Sequence, residues 1–178
     1  MLTRLMVTLM RKLLVAGNWK MNGSVDEAKA LSAGLLSEVG DGASYDVAVF
    51  PPFIHIPAVA AQLQNSDLIW GGQNVSAHAK GAYTSEISAD MLSALGCQMV
   101  LVGHSECREY GQESNALVAE KFKQALSAGL TPVLCVGETL SQREAEQTEA
   151  VVWQQIQAVI DLVGMESLGK GVIAYEPV

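Results

Sequence analysis

The sequence predicts an α/β fold built on a parallel sheet, and three observations predict it. Short runs rich in Val, Leu, Ile and Ala alternate with longer stretches of helical periodicity. Most of these runs are apolar at nearly every position, as strands buried on both faces are. Hydrophobic residues make up 49% and charged residues 17% of 178 residues. That is the mixture of a single globular domain, large enough to hide about 70% of its unfolded surface.

The runs are Leu13–Asn18, Asp46–Phe50, Leu68–Gln73, Met99–Val102, Thr131–Val136 and Gly171–Tyr175. Ser24-Val25-Asp26-Glu27 is a capping box that opens a helix, with Ala28, Leu31, Leu35 and Val39 as its apolar face. Short helices are expected at Pro57–Gln64 and Ala89–Leu95. A stripe of Val118, Phe122, Ala125 and Leu126 marks another helix, stopped by Gly129. Val152, Ile156, Val159, Ile160 and Val163 mark the longest. The β-α repeat implies right-handed crossovers. A doubly wound sheet and a (β/α) barrel both satisfy it. The absence of GxGxxG and Walker A patterns disfavours the common nucleotide-binding sheets.

One domain is expected over residues 10–178, preceded by an extension over residues 1–9. That extension is apolar apart from Arg4, but Arg11 and Lys12 interrupt it and no small-x-small cleavage site follows. No apolar run reaches the length of about 18 residues that spans a membrane. The balance of 11 Lys plus Arg against 19 Asp plus Glu, a net charge of −8, argues against nucleic acid or an anionic membrane as partner. An anionic ligand must be held by local groups. Cys97, Cys107 and Cys135 form no CxxC pair, which implies reduced thiols and a cytoplasmic location. His55, His78 and His104 have no metal-ligand spacing, and neither metal nor cofactor is expected.

In α/β folds of either closure, ligands sit at the carboxyl ends of the strands. The first run ends in Asn18-Trp19-Lys20, the fourth in Gly103-His104-Ser105-Glu106, the fifth in Gly137-Glu138 and the sixth in Glu176-Pro177. Alternation puts Asn18 and Lys20 on one parity, Val100, Val102 and His104 on one, and Val172, Ala174 and Glu176 on one. These parities are expected to face the interior of the sheet. A lone lysine after a strand is usually solvated and a lone histidine is usually structural. A cation, an imidazole and a carboxylate on one face suit a small anionic ligand better.

Leu14-Val15-Ala16-Gly17-Asn18-Trp19-Lys20-Met21-Asn22, Val102-Gly103-His104-Ser105-Glu106 and Ala174-Tyr175-Glu176-Pro177-Val178 together resemble the triosephosphate isomerase family. So do Gly72-Gln73-Asn74-Val75, the stretch Gly81-Ala82-Tyr83-Thr84-Ser85-Glu86-Ile87-Ser88, and Leu134-Cys135-Val136-Gly137-Glu138, all in register. The resemblance implies a (β/α)8 barrel, no cofactor, a small phosphorylated triose as substrate and a homodimer. It implies that Lys20 is the cation at the substrate phosphate and enediolate oxygen, with Asn18 beside it. It makes His104 the electrophile on the carbonyl and Glu176 the base that moves a proton between C1 and C2. Ser105 and Glu106 support the site, and Cys135 packs behind the base. In this family the histidine is known to be kept neutral by a helix N-terminus, and a helix after His104 fits that. Thr84 would reach Lys20 of a second copy.

The resemblance also marks departures. Such barrels have about 250 residues and eight strands, whereas six runs are present. The sequence therefore predicts an incomplete barrel, truncated after the Glu176 motif, with weak or no turnover. The alternative is a catalytically dead, self-associating fragment. Where the family has two arginines, Cys107 and Arg108 stand, so Glu86 loses its expected cross-dimer partner. Ser85 replaces a usual glycine, and the loop is expected to bend differently.

Overall fold

The computed structural model describes residues 12–39 and 43–176. The extension expected over residues 1–9, and Pro177 and Val178 of the last motif, lie outside the described residues. The elements follow the chain as β1 (Leu13–Asn18), α1 (Val25–Glu38), β2 (Tyr45–Phe50), α2 (Ile56–Leu63), β3 (Ile69–Gly72), α3 (Ala89–Ala94), β4 (Met99–Val102), α4 (Ser105–Tyr110), α5 (Asn115–Ser127), β5 (Thr131–Val136), α6 (Leu140–Glu144), α7 (Thr148–Val163), α8 (Met165–Leu168) and β6 (Val172–Tyr175). All neighbouring strands pair in parallel and in chain order, from Asn18 opposite Phe50 to Val136 opposite Tyr175. That is the strand order of a TIM barrel, with each strand beside the next in sequence.

Continuous apolar strands need two buried faces, and both are present. Val47, Val49, Val100, Val102, Leu134 and Val136 pack outward against Ile56, Val59 and Leu63 of α2, Leu92 of α3, Phe122 of α5 and Val159 of α7. Ala48, Phe50, Met99, Leu101, Val133 and Cys135 form the inner layer, joined by Leu14, Ile69, Val172 and Ala174. The inner parity therefore contains Asn18 of β1 and extends to Glu176 past β6, as the alternation predicts. For β4 the prediction is reversed. Val100 and Val102 face the helices, while Met99 and Leu101 face inward. His104 reaches the site because Gly103 breaks the strand with φ +72. A Cβ at Gly103 would also meet Val118 at 2.8 Å.

The helices follow their caps. Ser24 Oγ accepts the Glu27 amide and Glu27 returns a bond to the Ser24 amide, closing the predicted box on α1. The buried stripe of α1 differs by one residue from that predicted. Ser32 lies inside, its hydroxyl donating to the Ala28 carbonyl, and Leu31 is left exposed. A run of Ala28, Ser32, Leu35 and Val39 follows the helical pitch more closely than one through Leu31. The helix α5 ends as expected, with Gly129 at φ +76. Helix α6 was not anticipated, although Thr139 and Gln142 form a T-x-x-Q capping box.

Ser85 does not bend the loop away from the glycine geometry. It adopts φ +77, the left-handed region itself. A β-carbon there costs about 1–2 kcal/mol, of which glycine's extra unfolded-state freedom returns about 0.5–1 kcal/mol. Ser85→Gly should therefore raise stability by about 0.5–1 kcal/mol, seen as a higher urea midpoint. A lowered midpoint would contradict the strain.

Candidate active site

The carboxyl ends of β1, β4 and β6 bring the predicted residues together. Past β1, Lys20 takes φ +52 and its amide donates to Asn18 Oδ1 at 2.9 Å. Its ammonium meets Glu106 Oε1 at 3.0 Å. His104 caps α4 with its own ring. The Glu106 amide donates to His104 Nδ1 at 3.2 Å. That bond needs a lone pair on Nδ1, so the ring proton sits on Nε2, which lies 3.9 Å from Glu176 Oε2. The same Glu176 oxygen accepts the Ser105 hydroxyl at 3.1 Å.

His104 is nearly buried, whereas the Lys20, Glu106 and Glu176 side chains are 46%, 46% and 54% exposed. A half-exposed ion pair contributes little stability, so an incoming anion can draw Lys20 from Glu106 at small cost. The hydrogen bond and charge of Glu106 hold the Lys20 ammonium above an ordinary lysine, against some burial and with help from Glu176. The cation persists at neutral pH.

Cys135 lies on the inner face below Glu176. Burial pushes its thiol up to about 12, and the Glu176 charge adds to this. Cys135 is thus packing rather than a nucleophile. A cavity of about 770 Å³ opens beside Glu176, lined by Ser105, Cys135, Gly137, Glu138 and Gln155. It does not include Lys20 or His104, so the side-chain constellation and not the cavity defines the candidate site. Thr84 and Glu86 lie on an exposed loop and, among the described residues, make no side-chain hydrogen bond or ion pair to Lys20, His104 or Glu176.

Three supports escaped the sequence. Arg108 Nε donates to the Gly103 carbonyl at 2.7 Å and Nη1 to Asn115 Oδ1 at 2.7 Å, fixing the turn that presents His104. Gln155 of α7 closes both the amide and the carbonyl of Gly137 at 2.9 Å. A Cβ on Gly137 would strike the Glu176 carbonyl at 2.5 Å, so the two backbones touch there. Glu138 Oε1 accepts from Thr148 Oγ1 at 3.1 Å, Tyr175 Oη at 3.1 Å and Arg143 Nη1 at 3.4 Å. The signal for the last was present in Gly137-Glu138 and Ala174-Tyr175-Glu176, yet pairing side chains across strands needs the register.

Burial pushes the Glu138 carboxyl up, but its own amide, Thr148, Tyr175 and the charge of Arg143 outweigh it and hold it below the ordinary 4.5. A lowered carboxylate contributes stability above the unfolded value and loses it as pH falls through the folded one. Stability should therefore decline as pH drops below 4.5. Glu138→Gln should flatten that limb in pH-dependent urea titrations. An unchanged acid limb would show that other carboxylates carry it.

The family model for triosephosphate isomerase matches residues 13–178. The chain belongs to the triosephosphate isomerase family. It is 51% identical over 164 residues to the triosephosphate isomerase of Nitrosomonas europaea, covering 92% of this chain and 65% of that protein. It is 52% identical over 169 residues to that of Thiobacillus denitrificans, covering 95% and 67%. With Nitrosococcus oceani the identity is 48% over 169 residues, covering 95% and 68%. The chain spans about two thirds of the length of these curated relatives. Membership of the triosephosphate isomerase family agrees with the parallel strand order and assigns the six described strands to an incomplete barrel of the (β/α)8 type rather than to a doubly wound sheet. Among the described residues, no helix is long and apolar enough to cross a membrane.

Proposed function

We propose that the chain interconverts dihydroxyacetone phosphate and D-glyceraldehyde 3-phosphate, a step of glycolysis and gluconeogenesis, by proton transfer through an enediolate. The observation that carries this is the placement of His104 Nε2 at 3.9 Å from Glu176 Oε2, a donor and a base at one point. A hydrogen next to a carbonyl is removed only if the developing oxyanion is stabilised as the base takes the proton. Glu176 takes the proton from C1 and returns it at C2. The Nε2 proton of His104 polarises the carbonyl oxygen at C2 and passes to it in the enediolate, and His104 recovers a proton from the C1 hydroxyl. The oxygen-bound proton thus moves from O1 to O2 as Glu176 moves the carbon-bound one. Lys20, released from Glu106, neutralises the phosphate and the oxyanion, and Asn18 holds the turn behind it. Ser105 parks Glu176 until substrate arrives. A coupled assay for glyceraldehyde 3-phosphate, with Lys20→Ala as control, tests the reading. Product formation that survives Lys20→Ala at full rate would contradict the assigned cation. No product at all would favour a catalytically silent, self-associating chain.

The homo-oligomeric and cytoplasmic readings are part of the same proposal. The free thiols Cys97, Cys107 and Cys135 support a reducing compartment. Self-association is placed at residues 74–88, with Thr84 directed at Lys20 of a second copy. Glu86 is exposed, and Cys107 stands where the family resemblance implies an arginine that would pair with it across the dimer. Sedimentation should show a concentration-dependent dimer that Cys107→Arg tightens about tenfold, the equivalent of one charge-assisted contact. An unchanged dimer constant would remove Glu86 from the interface.

A further inference from the structure

Lys20 is one of four described non-glycine residues with positive φ, and the one whose side chain enters the site. Strain of this kind persists only where the surroundings over-determine it. The left-handed peptide is tied on both sides. Its amide is held by Asn18 Oδ1 at 2.9 Å. Its carbonyl accepts Gln73 Nε2 at 2.8 Å, and the same nitrogen donates to the Phe50 carbonyl at 2.8 Å. The Phe50 carbonyl also takes the Trp19 amide at 3.1 Å, and Asn22 Nδ2 donates to the Trp19 carbonyl at 2.9 Å. Gln73, just past β3, thus spends both amide hydrogens on pinning the turn after β1 to the end of β2. A primary amide of this length supplies two hydrogens from one nitrogen to two carbonyls without adding a charge beside Lys20.

We propose that Gln73 is a positioning residue for Lys20: its carboxamide locks the left-handed turn and so aims the ammonium into the site. The inference rests on Lys20 being the phosphate-binding cation of the proposed reaction, but its primary test does not. In Gln73→Met, which keeps the length and loses the donors, the Lys20 ammonium drifts from Glu106. Its titration, followed by NMR with labelled lysine, should fall toward that of a free lysine. Glycerol 3-phosphate, which cannot isomerise, serves as the binding probe. Its affinity by calorimetry should fall about tenfold in Gln73→Met, the loss of one charge-assisted contact, and should be insensitive to the same change in a Lys20→Met background. If Gln73→Met does not fold, Gln73→Leu, which has neither a donor nor a charge, takes its place. An unchanged Lys20 titration overturns the inference. So does an equal loss of affinity with and without Lys20, since a general scaffold role predicts that. If the unaltered chain fails to bind glycerol 3-phosphate, the functional reading falls, and the Lys20 titration alone decides the role of Gln73.

Discussion

Glu176→Gln should slow exchange of the hydroxymethyl hydrogen of dihydroxyacetone phosphate into deuterated water by about 10²–10⁴-fold, the usual worth of a positioned general base. Glutamine has the same shape and its carbonyl oxygen can still accept the Ser105 hydroxyl that Glu176 accepts at 3.1 Å. What it lacks is basicity. The side chain is 54% exposed, so the change should move folding stability by no more than about 0.5 kcal/mol. Exchange is the better readout because it reports proton abstraction alone and does not require release of product. An exchange rate kept within threefold of the unaltered chain would place the base elsewhere, and Glu106, 3.6 Å from the opposite ring nitrogen of His104, would be the next candidate.

The strands were legible because burial on both faces leaves an unbroken apolar run, and three of six match the structure to the residue. The face each residue took was less legible. Alternation is reliable only while the chain stays extended, so it served for Glu176, which continues the inward parity of β6. It failed for His104, because the left-handed Gly103 resets the direction of the chain. The charged members of the site were visible through their convergence at the carboxyl ends of the strands, since each alone is commonplace there. Their holders were not. Gln73, Gln155 and Arg108 act through main-chain carbonyls and amides, and a sequence does not say which carbonyl lies within 3 Å. Thr139 and Gln142 were readable by the same capping rule that located α1, but the short α6 carries no apolar stripe to draw attention to them.

The largest effect on stability is expected away from the reacting centre, at Lys121. Its ammonium, on α5, bonds Glu113 Oε1, and it donates to Asn74 Oδ1 at 3.0 Å. Asn74 Nδ2 closes the triangle on Glu113 Oε1 at 2.9 Å. Both charged side chains are more than nine-tenths buried, 7% and 6% exposed. Asn74 also donates to Cys107 Sγ at 3.6 Å, which ties the cluster to the helix that carries Ser105 and Glu106. Glu113 Oε2 has no hydrogen-bond partner among the described residues, so the carboxylate depends on what Oε1 receives. Lys121→Met fills similar space but strands that carboxylate in a dry site, and breaking a buried pair from one side costs about 3–5 kcal/mol. Removing the charge as well, in Lys121→Met with Glu113→Gln, leaves only a neutral amide short of partners, at about 1–3 kcal/mol. The double variant should therefore be more stable than Lys121→Met alone, with the second change acting as a repair. Urea midpoints of the two single variants and the double one measure this. Additive losses would mean that Glu113 and Lys121 do not depend on each other, and that the buried triangle contributes through packing alone.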